Sequence, residues 1–178
     1  MSVMSAIVFV VAVLGTGAAI VGVVYVMLKQ YFDQQQVQLD REWKERKKKD
    51  YLPLQVQAYE RLILYLERIN PERLVFRVNK PGMSARHLQS EILKIIREEF
   101  DHNLAQQLYI GVDAWESVLA ARNETINILN KAAERVHKDS NSLEFSQAIL
   151  EVSGSREKLP TDIAIRILKK EFQAKVKA

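Results

Sequence analysis

Cysteine is absent from all 178 residues, which removes disulfides, thiolate metal sites and cysteine nucleophiles at once and agrees with a reducing compartment. Histidine is nearly as scarce: His87, His102 and His137 make up the whole supply, so few imidazole-based sites can be built. No glycine-rich phosphate loop, no G-x-S-x-G and no H-E-x-x-H occurs. Charge is missing from one place above all, since Met1 to Leu28 holds no ionisable acid or base among its Asp, Glu, Lys and Arg.

That uncharged run, "SAIVFVVAVLGTGAAIVGVVYVML", is long enough at about 1.5 Å per residue to cross a hydrocarbon core of roughly 30 Å. No basic residue precedes it and it is longer than the apolar core of a signal peptide, so it predicts an uncleaved transmembrane anchor over residues 1–28. Basic residues begin at Lys29 and cluster at Arg41, Lys44, Arg46, Lys47, Lys48 and Lys49. By the positive-inside rule the expected location is the bacterial inner membrane, single-pass, with the N-terminus out and the remainder in the cytoplasm. Residues 29–50 are polar nearly all round and free of Gly and Pro, which predicts a stalk helix. Lys29, Lys47, Lys48 and Lys49 are its candidates for contact with anionic lipid of the bilayer. A broken heptad (Leu28, Phe32, Gln35, Leu39, Arg46) and small residues four apart (Gly15 with Ala19, Ala18 with Gly22) allow a homodimer through anchor and stalk.

The net charge of +4 divides evenly: residues 29–50 carry 7 basic and 5 acidic groups, and residues 51–178 carry 19 and 17. A domain so nearly neutral offers no broad stripe for tracking phosphates, and no nucleic-acid partner is expected.

From residue 51 onward the pattern is helical. The apolar positions of "DYLPLQVQAYERLILYLERINP" predict a central helix starting near Pro53 and stopping at Asn70-Pro71. A second helix opens at Ser84, and a third at "DAWE" with Asp113 as cap and Glu116 reaching back to it. "SLEFSQAILEVSG" predicts a fourth, closed by Gly154, and "PTDIAIRILKKEFQAKVKA" a fifth. The fold class is therefore all-α: a transmembrane helix, a helical stalk, and a bundle of about five helices over residues 51–178. Residues 70–83 form the exception, a long connection in which "LVFRV" has strand-like composition. An extended backbone there would put Leu74, Phe76 and Val78 on one side and Arg73, Arg77 and Lys80 on the other, either as a lid on the bundle or as a docking surface for an acidic protein partner, with Arg73, Phe76, Arg77 and Lys80 as binding residues.

The stretch with most chemical potential is "REEFDHN". Its Arg97 and His102 are five apart, a spacing that resembles the R-x4-6-H motif of HEPN-type ribonucleases. The resemblance implies a small all-α fold and a role for both residues around a scissile phosphate. Against it stand Glu98, Glu99 and Asp101, which repel an RNA backbone. Glu99 with His102 and Glu134 with His137 share the Glu-x-x-His spacing of di-iron bundles, but inward carboxylates from two further helices are wanting, so no metal and no cofactor is expected.

Taken together, the uncharged anchor, "LPLQVQAYERLILYLERINPERLVFRV" and "IREEFDHNLAQQLYI" are similar to an uncharacterised family of small single-pass bacterial membrane proteins with a cytoplasmic helical domain. The resemblance implies no activity. The function expected is a non-enzymatic, membrane-anchored scaffold or adaptor that docks a protein at the inner membrane. The alternatives are an RNA-cleaving domain using Arg97 and His102, or a binder of nucleic acid or anionic lipid.

Overall fold

The computed structural model describes residues 3–177, with side chains described from Lys49 to Val176 and at scattered earlier positions. The elements are α1 (Val3–Arg68), α2 (Pro71–Val78), α3 (Ala85–Asn103), a 3-10 turn (Leu104–Leu108), α4 (Val112–Ala133), α5 (Ser142–Gly154) and α6 (Pro160–Lys177). Among the described residues there is no strand, only an isolated antiparallel bridge between Ser84 and Asn141. The chain separates into two units, one up to Tyr51 and one from Leu52 onward.

The first unit is helical without interruption, so residues 29–50 continue α1. Its transmembrane reading needs correction: among the described residues no helix is long and apolar enough to cross a membrane. With the anchor over residues 1–28 goes the single-pass inner-membrane location inferred from it. An uncharged run records that a segment avoids water, and does not specify lipid as what covers it. Residues 1 and 2, and the side chains of much of the run, lie outside the described residues. Those that are described, including Phe9, Leu14, Tyr25 and Met27, are exposed.

In the second unit the core draws on every helix. The last turns of α1 bury Tyr59, Leu62, Tyr65 and Leu66; α3 buries Leu88, Ile92 and Ile96; α4 buries Val118, Ile128 and Leu129; α5 buries Phe145 and Ile149; α6 buries Leu168. Each such Leu, Ile or Phe contributes about 1.5–3 kcal/mol by leaving water. α4 packs mainly on α6 and α5, while α2 lies on α5 and α3.

Pro53 lies inside α1 and not at a helix start. It removes one backbone hydrogen bond, from a donor that would face the carbonyl four residues earlier. The expected cap at Asp113 is displaced as well. Gly111 is the N-cap of α4 and makes no side-chain bond there, and Asp113 sits in the first turn, where its charge suits the helix dipole. Gly154 is the last residue of α5 and keeps a negative φ; Gly82 alone, at φ +80, uses the left-handed region among the described residues.

The largest departure is at residues 71–78, which are a helix and not an extended connection. Asn70 is the reason. Its Oδ1 accepts from the backbone N–H groups of Glu72 and Arg73 at 3.1 and 3.3 Å, and Pro71 occupies the first position with φ already set. The pair that ends α1 also starts α2. Leu74, Val75 and Val78 then share one buried face, and that burial overrides the β-preference of the segment.

Candidate functional site

Helical geometry rearranges the residues expected to bind a partner. Arg73, Phe76 and Arg77 are spaced to lie along the outer face of α2, with Lys80 following just past its end, and all four side chains are exposed. Phe76 does not join Leu74 and Val78 over the core: it is 76% exposed, where the other large apolar residues of α2 are buried. The lid is therefore Leu74, Val75 and Val78 alone.

The cations around Phe76 are held in different ways. Arg73 pairs with Glu67 at 2.6 Å, and Arg77 donates from Nη2 to the carbonyl of Arg68 at 3.1 Å, satisfying an end carbonyl of α1. Beside them a groove of about 280 Å³ runs between α2 and α3, with Val78, Met83 and Ile95 along it and Arg77, Lys80, His87 and Glu91 at its edges. At the far end of α2 the loops around Gly82 and Asn141 are joined by two bonds, Ala85 N–H to the Ser140 carbonyl at 3.0 Å and Ser142 N–H to the Met83 carbonyl at 2.9 Å. This is the only strand-like pairing among the described residues, and it falls outside "LVFRV".

The expected dyad is not brought together. Arg97 and His102 are both exposed on α3, and five residues of helix turn their directions apart by roughly 140°. His102 lines a cavity of about 420 Å³ with Arg61, Leu64, Tyr65, Arg68, Glu99 and Asn103; Arg97 is not among the lining residues. Glu99 is not a free acid but accepts from Arg68 Nη1 at 3.0 and 3.2 Å. Below it, Phe100 fixes the end of α3, stacked on Trp115 at 5.8 Å with the Arg122 guanidinium 4.2 Å from its ring centre. Leu104, expected to share that anchoring, is 43% exposed and opens the 3-10 turn.

No group of three or more His, Asp or Glu side chains able to hold a metal occurs among the described residues. His137 faces Asp139 at 3.6 Å at the surface. Of the stalk cations, Lys29 and Lys49 are exposed, and the side chains of Lys47 and Lys48 lie outside the described residues.

A separate polar cluster ties α6 to the rest. Glu171 Oε1 accepts from Tyr59 Oη at 2.6 Å, Gly111 N–H at 2.8 Å and Lys175 Nζ at 2.9 Å. A Cβ at position 111 would lie 2.8 Å from that same oxygen, so glycine is what lets the backbone come this close. Its geometry is that of a structural lock rather than of a reactive site.

The sequence reading passed over Arg61, Tyr65, Arg68 and His87. The first three are spaced four and three apart on α1, a visible helix face, but only packing shows that the end of α3 closes over it.

Fold and surface thus define an all-α domain whose distinguishing features are one exposed aromatic among cations and one polar cavity between helices. The chain belongs to a family of unknown function (DUF7935), whose model matches residues 4–175. No curated protein and no solved structure matches it.

Proposed function

We propose that the unit from Leu52 onward is a protein-docking module, a scaffold rather than an enzyme, which takes an acidic segment carrying an apolar anchor on the outer face of α2. The observation that carries this reading is Phe76, which is 76% exposed on a helix whose other large apolar residues are buried. Arg73, Arg77 and Lys80 surround it, and their charge complements an acidic segment. The adjoining groove with Val78, Met83 and Ile95 offers a place for the anchor to leave water. Arg73 and Arg77 are already held in place by Glu67 and the Arg68 carbonyl, so less side-chain freedom is lost when a partner arrives.

A photo-crosslinking side chain placed at position 76 of the full chain, in its own host cells, tests this directly. One discrete adduct is expected, and Lys80→Glu should reduce its yield by roughly tenfold through like-charge repulsion. Absence of an adduct, or an adduct indifferent to Lys80→Glu, would refute the docking reading.

A further inference from the structure

Tyr65 is 1% exposed, and its hydroxyl, although buried, has no hydrogen-bond partner within the chain. Leaving such a group unpaired costs about as much as a lost hydrogen bond, so the fold gains nothing from that oxygen. Burial pushes the hydroxyl far above the ordinary tyrosine range, which keeps its proton on and makes it a permanent donor. Tyr65 lines the cavity between α1 and α3, and the side chains that share the cavity are those that bind anions.

Arg61 and Arg68 lie one turn to either side of Tyr65 on α1, and His102 and Asn103 reach from the last turn of α3. Arg61 makes no ion pair among the described residues, so its guanidinium is available. Arg68 is steadied by Glu99, the cavity's one carboxylate. Asn103 donates from Nδ2 to the Glu99 carbonyl at 2.7 Å, which fixes its amide against the end of α3. With both arginines charged and Glu99 ionised, the lining carries a surplus of positive charge even while His102 is neutral.

We infer that this cavity binds the phosphate group of a small soluble phosphate monoester, with Arg61, Arg68, His102 and the Tyr65 hydroxyl as its donors. Donors that converge from two facing helices suit a tetrahedral anion with three terminal oxygens, whereas a planar carboxylate is satisfied by a single guanidinium fork. The volume of about 420 Å³ falls within the range of small-molecule sites and below what a polymer needs. A nucleic acid would also require a run of cations beyond the cavity, and Glu98 and Asp101 flank it instead. Glu99 competes with the ligand for Arg68, so it sets a ceiling on affinity.

The test is titration of the full-length protein with glycerol 3-phosphate and with inorganic phosphate at constant ionic strength, by calorimetry and by the shift in thermal midpoint. Saturable one-site binding that raises the midpoint is expected. Tyr65→Phe should weaken it about tenfold while the ligand-free midpoint stays the same or rises, which separates a binding hydroxyl from a structural one. Arg61→Gln should weaken binding by a similar factor, and Glu99→Gln should tighten it severalfold by freeing Arg68. Arg86→Gln, exposed at the start of α3 and outside the cavity, should change nothing. Absence of saturable binding overturns the inference, as does binding that neither Tyr65→Phe nor Arg61→Gln alters. Binding only to vesicles of phosphatidic acid in phosphatidylcholine, with none to the soluble esters, overturns it as well.

Discussion

Glu171 shows how much one side chain can connect. Burial alone would raise its pKa, but the hydrogen bonds from Tyr59, Lys175 and Gly111 outweigh it and hold the carboxyl below its usual range. A lowered folded-state value means that the stability it contributes is present above the ordinary carboxylate pKa and is lost as pH falls through the folded value. Tyr59 works in the opposite direction. Its hydroxyl is pushed up to about 12, first by burial and then by its bond to Glu171, so its contribution is complete below the ordinary value of 10.0 and is lost as pH climbs from there. Glu171→Gln should therefore cost about 1–3 kcal/mol at neutral pH, measured by urea denaturation, and the deficit should shrink in acid, where the wild-type carboxylate is itself protonated. A deficit that stays the same at every pH would assign the cluster's strength to packing. None of this was legible in advance, because Tyr59, Gly111 and Glu171 share no spacing in the chain.

At the scale of the element, α2 is the informative case. Its eight residues are short for a helix and rich in β-branched and aromatic side chains, so composition favours a strand. Two local facts reverse that: a proline at the first helical position with an asparagine cap before it, and a buried face made by Leu74, Val75 and Val78. The cap was visible in the sequence but is read equally well as a stop, since Asn70-Pro71 does both. Leu74→Ala should cost about 2–5 kcal/mol, while Phe76→Ser should change stability by no more than about 0.5 kcal/mol. An extended segment with both residues on one side would instead lose similar amounts from each, so denaturation of the two variants decides between the geometries.

For the whole molecule, the division at Tyr51 and Leu52 carries a consequence for folding. Every buried apolar residue of the described core lies at or beyond Ala58, and Pro53 would stand in the first turn of a helix that began at Leu52, where proline is well tolerated. A chain of residues 52–178 is accordingly expected to unfold in one cooperative step, with the denaturation midpoint of the second unit in the full-length protein. A lower midpoint, or a gradual transition, would show that the first unit contributes to that core.

What the sequence determined by itself was the class of structure. Apolar residues recurring every three to four positions, with polar and capping residues between, admit helices and little else, so the starts at Ser84, Ser142 and Pro160 and the stop at Asn70 could be read within a residue or two. It likewise singled out Arg73, Phe76, Arg77 and Lys80, though on the wrong backbone. What covers the uncharged N-terminal run was not determined, because hydropathy measures avoidance of water and says nothing of the replacement. Only the tertiary structure decided that Arg97 and His102 diverge, that Glu99 belongs to Arg68, and that a tyrosine hydroxyl lies buried without a partner beside two arginines. Those facts depend on which helix faces which, and facing is settled by the packing of residues distant in the chain, such as Leu62 and Tyr65 with Ile96 and Phe100, whose separation no local pattern encodes.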